Sequence, residues 1–170
     1  MRARPVAGLG LAFAVFVVDQ LTKWIVTGPL AIDHLGAYRT VLPVFDLRFV
    51  QNVGVSLGML RAETDVTRWL LVGFTAAIAA GVAVWMFREA RRADQLALGL
   101  VLGGALGNIL DRIRLGYVVD FADLHFGEWR PFLVFNVADG AITVGVLILL
   151  VRALLIREKP AQGSSENVHA

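Results

Sequence analysis

The chain reads as an all-α membrane protein, a four-transmembrane-helix bundle with a small extracytoplasmic β-sheet between the first and second spans. Three observations carry that reading. Of the 170 residues, 57% are hydrophobic, against roughly 45–50% in an ordinary soluble domain. Four apolar stretches approach the roughly 20 residues needed to cross about 30 Å of hydrocarbon. Short segments rich in arginine and lysine alternate with long connections of mixed composition.

The first span, about 6–26, follows Arg2 and Arg4 and imitates a secretory signal. DQLTKW stands where a small-x-small cleavage site would have to be, so an uncleaved span is expected. Further spans are expected over about 66–87, 95–113 and 135–156. Four spans place both termini on one side. That side holds Arg2 and Arg4, then Arg88, Arg91 and Arg92 of REARRAD, then Arg157 and Lys159, which the positive-inside rule makes cytoplasmic. The long connections, 27–65 and 114–134, then lie outside. In the first of them Phe45, Leu47 and Phe49 alternate with Asp46 and Arg48, the period of an amphipathic strand. An outer β region over about 38–60 is expected, with a turn in NVGVSLG. Residues 1–159 are read as one polytopic domain and 160–170 as a disordered cytoplasmic tail.

Composition narrows the chemistry. With no cysteine, disulfides, thiolate metal sites and cysteine nucleophiles are excluded. A formal net charge of +2 is too small to imply nucleic acid. His34, His125 and His169 are dispersed without metal-ligand spacing, so neither metal nor cofactor is expected. Ser56 with Lys23 is weak support for a serine-lysine hydrolase, since serine is common in glycine-flanked turns.

Polar residues within the spans gather at one depth. At 1.5 Å rise per residue, Asp19 lies roughly 21 Å beyond Pro5, and Asn108 and Asp111 roughly 20 and 24 Å beyond Gln95. Asn136 and Asp139 open the fourth span. An ionisable group at a helix centre costs about 2.5–3.5 kcal/mol on insertion scales, so such residues normally face an interior or water. Gly99, Gly103 and Gly107 recur every fourth residue and permit close helix approach. The pattern predicts a wet, acidic pocket opening outward.

Each group also has a structural reading. Asp19 and Lys23 form an i, i+4 ion pair with the acid first, the better order for helix support. Asn108, Asp111 and Arg112 fit interhelical hydrogen bonds and a snorkelling cation equally well. Asp120 and Asp139 lack a basic partner within a helical turn and stand as candidate reactive groups, with helix capping as the alternative. Asp123, His125 and Glu128 are expected to be solvated. A small transporter or proton relay also uses intramembrane Asp, Lys and Asn, but its polar stations should recur near the cytoplasmic ends, where none is expected. A scaffold held by the glycine face leaves the acids unexplained.

Taken together, DQLTK (19–23), GGALGNILDR (103–112), VVDF (118–121) and FNVAD (135–139) resemble the bacterial lipoprotein signal peptidases, the signal peptidase II family of intramembrane aspartyl proteases. NVGVSLG looks like the family's asparagine-glycine stretch, with Ser56 where alanine is usual and Leu57 where phenylalanine is usual. The resemblance implies that Asp120 and Asp139 are a catalytic dyad. It also implies that Asn108, Asp111, Arg112 and Asn136 hold the site together, with Asn52, Asp19 and Lys23 at its outer edge. The implied substrate is a prolipoprotein carrying diacylglycerol on its lipobox cysteine, cut just before that cysteine. Membrane phospholipid is the other expected partner. The resemblance places such a protein in the bacterial cytoplasmic membrane, with its active site near the extracytoplasmic face, and a monomer is expected.

Overall fold

The computed structural model describes residues 5–55, 60–61 and 65–155. Ser56, Leu57 and the tail lie outside the described residues. Four long helices, each apolar enough to cross a membrane, make the bundle: α1 (Val6–Thr27), α2 (Asp65–Arg88), α3 (Arg92–Leu115) and α4 (Val137–Leu155). Between α1 and α2 lie β1 (Tyr38–Leu42), β2 (Phe45–Asn52), β3 (Gly54–Val55) and β4 (Leu60–Arg61), and β5 (Val118–Leu124) lies between α3 and α4.

α3 is the most buried of the four helices, because its small residues admit neighbours on two sides. A Cβ added at Gly99, Gly103 or Gly107 would run into Gly8, Ala12 or Asp19 of α1. The expected glycine seam therefore faces the first span. One added at Gly104 would meet Ala138 of α4. Helix association in lipid depends on such backbone approach, since apolar side chains gain little by leaving lipid tails. α2 closes a third side through Val72, Ala79 and Met86, which pack with Leu98, Leu102 and Ile109.

The sheet covers one end of this bundle. β1, β2 and β5 pair antiparallel in that order, so the third strand comes from the second long connection, beyond the region where strands were expected. A register shift between Leu47 and Val50 interrupts the simple alternation read in β2. Phe45 and Leu47 are half-buried, Phe49 is buried, and all three join Val26, Ile32, Val119 and Phe121 in an apolar cluster beneath the sheet. Asp46 is buried too, paired through Oδ2 with Nε2 of His125 at 3.4 Å.

Two expectations need correction here. Asp123 is fully buried, held by Nε of Arg48 at 3.1 Å and Nε of Arg130 at 3.2 Å, because strand pairing places it directly opposite Asp46. Glu128 alone of the three expected solvated residues is exposed. The far end of the bundle does hold a buried polar group, Asp94, paired with Arg152 of α4. Buried Ala97, Leu98, Val101 and Leu102 separate it from the acidic end, so no polar path joins the two through α3.

Candidate active site

The acidic end is assembled from five elements. α1 supplies Asp19, Gln20 and Lys23, α3 supplies Asn108, Asp111 and Arg112, β5 supplies Asp120, and the start of α4 supplies Asn136 and Asp139. Asn52 reaches in from the end of β2.

Its foundation is a buried ion triad. Nζ of Lys23 lies 2.8 Å from Oδ2 of Asp19 and 2.8 Å from Oδ2 of Asp111. One cation against two carboxylates leaves a negative excess, which backbone donors and an amide offset. Ala138 N–H donates to Oδ1 of Asp19 at 2.9 Å, and Val119 N–H donates to Oδ2 of Asp111 at 3.1 Å. Asp19 thereby satisfies an otherwise orphaned amide in the first turn of α4, where a carboxylate also meets the positive end of the helix dipole. Gln20 adds Nε2 donors to Oδ2 of Asp19 at 3.1 Å and Oδ1 of Asp111 at 3.0 Å. Separating such a buried pair by removing one partner typically costs about 3–5 kcal/mol.

Above the triad two amides connect two carboxylates. Nδ2 of Asn136 donates to Oδ1 of Asp120 at 2.7 Å, and Nδ2 of Asn52 donates to Oδ2 of the same residue at 3.0 Å. Nδ2 of Asn108 donates to Oδ1 of Asp139 at 2.8 Å. The amides are themselves linked, Asn136 Nδ2 to Asn108 Oδ1 at 3.2 Å, and Lys23 Nζ donates to that same Oδ1 at 3.3 Å. Asn136 also caps α4. Its Oδ1 accepts Asp139 N–H at 2.9 Å, while Oδ2 of Asp139 accepts Asn136 N–H at 3.4 Å, the reciprocal geometry of a capping box.

The two carboxylates differ in environment. Asp120 is buried and Asp139 half-buried. Burial, then the charge of Asp139, pushes the Asp120 carboxyl up to about 7, against the opposing pull of the Asn52 and Asn136 donors and Lys23. A carboxyl raised in this way still holds a proton close to neutrality. Arg112 is half-buried, its Nη1 donating to the Asn108 carbonyl at 3.4 Å, and its Nε has no hydrogen-bond partner among the described residues.

All nine residues singled out in the sequence therefore converge at one end of the bundle. Gln20 was missed, although it stands inside DQLTK and a polar side chain beside Asp19 at that depth was the available signal. The backbone donors of Val119 and Ala138 carry no side-chain signature. Among the described residues no cluster of His, Asp and Glu is arranged to hold a metal ion.

Fold and site together define a polytopic membrane protein that holds a strand carboxylate and a helix carboxylate in one buried amide network. The sequence model of the signal peptidase (SPase) II family matches residues 11–155. The lipoprotein signal peptidase of Rhizorhabdus wittichii is 56% identical over 163 residues, covering 96% of this chain and 93% of its own. That of Sphingopyxis alaskensis is 53% identical over 164 residues, covering 95% and 94%. A bacterial membrane enzyme solved at 2.3 Å resolution superimposes with a TM-score of 0.76 at 27% identity, covering 92% of this chain and 93% of that one. The chain belongs to the signal peptidase II family of membrane proteases.

Proposed function

We propose that the protein removes the signal peptide from diacylglyceryl-modified prolipoproteins, cutting just before the lipid-modified cysteine, with Asp120 and Asp139 as an aspartyl dyad. The observation that carries this reading is the pair of carboxylates tied through Asn136 and Asn108, with Asp120 raised toward neutrality. The identity with the lipoprotein signal peptidases of two other bacteria supports the substrate class.

Asp139, the more exposed of the two, takes a proton from water as general base. The water oxygen attacks the scissile carbonyl carbon while protonated Asp120 gives its proton to the carbonyl oxygen. Collapse of the tetrahedral intermediate breaks the C–N bond, and Asp139 returns its proton to the leaving nitrogen. The hydroxyl of the intermediate returns its proton to Asp120, leaving a signal-peptide carboxylic acid and a free cysteine amine. General acid and base steps of this kind each contribute typically about 10²–10⁴ in rate. The arginine pattern supports a cytoplasmic-membrane orientation with both termini inside and the sheet outside, so that the scissile bond meets water while the acyl chains stay in lipid.

Incubating purified protein with lipidated and unlipidated precursor tests the substrate. Cleavage of the lipidated form is expected, with Asp120→Asn and Asp139→Asn each abolishing it while expression and insertion stay near normal. Full activity in either variant would remove that residue from the chemistry.

A further inference from the structure

Arg68 stands apart from the carboxylate network yet is tied to the segment that carries it. It lies in the first turn of α2, a helix that gives the carboxylates no hydrogen bond among those described. Its Nε donates to the carbonyl of Arg112 at 2.8 Å and its Nη2 donates to the carbonyl of Ile113. The guanidinium also lies over the Trp69 ring, 5.3 Å from Cζ to the centroid, and its side chain is only 22% exposed. A cation that merely snorkels to the interface would leave its head in water, whereas this fork is engaged on two consecutive carbonyls.

Those carbonyls belong to the last turn of α3, where the helix runs short of donors of its own. The last carbonyls of an α-helix lack intrahelical donors, apart here from that of Arg112, which accepts Gly116 N–H, and a cation there also meets the negative end of the helix dipole. Immediately beyond, the chain turns through Gly116, at φ 87° in the left-handed region, with its N–H donating to the Arg112 carbonyl at 3.2 Å. Any other residue would be strained there. β5 starts two residues later. The short run from Asp111 to Asp120 is thus held at two points: Arg68 grips the helix end, and Asp111 grips Val119 N–H at 3.1 Å.

We propose that Arg68 is a positioning residue for this reaction: its guanidinium fork fixes the turn from α3 into β5, and that turn sets where Asp120 stands relative to Asp139. The inference rests on the dyad reading of the site. It makes α2, through one side chain, a determinant of the chemical step.

Lysine retains the charge but is a single point donor that cannot span two carbonyls as a fork, and glutamine retains neither charge nor reach. Misplacement of a reacting group by about 1 Å costs on the order of a hundredfold in rate. Steady-state cleavage of lipidated precursor should therefore show kcat falling on that order in Arg68→Gln with KM near its wild-type value, and Arg68→Lys recovering part of the loss. Backbone hydrogen exchange should rise at Gly116–Val119 in Arg68→Gln while Leu98–Leu102, in the middle of α3, stays protected. Unchanged kcat, a change in KM alone, or exchange rising evenly through all helices would each overturn the proposal. If Arg68→Gln does not fold, Arg68→Lys decides by the same two readouts. Cleavage surviving in Asp120→Asn and Asp139→Asn would sink the dyad reading by itself, and the exchange pattern at Gly116–Val119 would still report whether Arg68 fixes the turn.

Discussion

Asn136 donates from Nδ2 to Oδ1 of Asp120 at 2.7 Å while its own Oδ1 caps the N–H of Asp139 at 2.9 Å, so one side chain places a strand carboxylate and starts the helix that bears the other. The two tasks are separable. Serine keeps an N-cap acceptor but has no Nδ2, and alanine keeps neither. Asn136→Ser and Asn136→Ala should lose comparable activity, while only Asn136→Ala should also lose the cap's stability of about 1 kcal/mol. Thermal unfolding in detergent and cleavage rates check this. Wild-type kcat in Asn136→Ser would show that Asp120 does not need the amide.

The pH profile reports which carboxyl holds the proton. Asp120 is pushed up to about 7, mainly by burial and then by Asp139, and as the acid it works only when protonated. Activity should therefore fall as pH rises through about 7. Nδ2 of Asn52 stabilises the ionised form, so Asn52→Ala raises the folded pKa further and should carry the alkaline limb of kcat/KM to higher pH. A limb displaced to lower pH would count against Asp120 as proton donor. The same sign governs stability: a folded pKa above the unfolded one means that ionisation weakens the fold, so Asp120→Asn should be at least as stable as the parent at about pH 8.

Asp123 separates structure from chemistry within VVDFAD. Its carboxylate faces Arg48 of β2 and Arg130 of the connection beyond β5 and is not among the hydrogen-bonded groups around Asp120 and Asp139. Hydrogen bonds to charged groups contribute roughly 1.5–3 kcal/mol, discounted here because both guanidiniums are well exposed. Asp123→Asn should lower the unfolding midpoint while folded protein keeps substantial activity. Loss of kcat at unchanged stability would place Asp123 in the reaction.

What the sequence disclosed follows from what lipid punishes. Asp19, Asn108, Asp111 and Asp139 were conspicuous because polar groups within apolar spans require a reason, and the spacing of Gly99, Gly103 and Gly107 already described a contact face. The reactive assignment of Asp120 and Asp139, by contrast, came from the motif resemblance, because isolated acids could equally be caps. The second connection was harder. VVDFADL is apolar on both sides of its acids, and its burial on both faces removes the alternation by which a strand is recognised. Asp123 was misjudged for the same reason, since its partners Arg48 and Arg130 come from separate connections. Arg68 belongs to none of the motifs read in the sequence, and only the fold brings it to the end of α3.

A tight helix contact in the site yields the last prediction. Gly107 of α3 faces Asp19 so tightly that an added Cβ would strike Oδ2 of that carboxylate, the oxygen held 2.8 Å from Lys23. Because the obstacle is a functional group fixed by Lys23, Gln20 and Ala138 N–H, Gly107→Ala must either displace Asp19 or separate α1 from α3. Displacement loosens the first turn of α4 and hence Asp139, so activity should fall in a graded way without being abolished. Gly10→Ala serves as the control, since nothing lies within 4 Å of its added Cβ; a helical glycine with room for a methyl typically gains about 0.4–1 kcal/mol on replacement. Asp19→Ala vacates the space that the new methyl requires. In that background Gly107→Ala should therefore cost much less than it does alone, the non-additivity expected of residues in contact. A full double-mutant cycle on cleavage rate and unfolding midpoint tests this, and strict additivity would show that the methyl acts by prising the helices apart, with Asp19 a bystander.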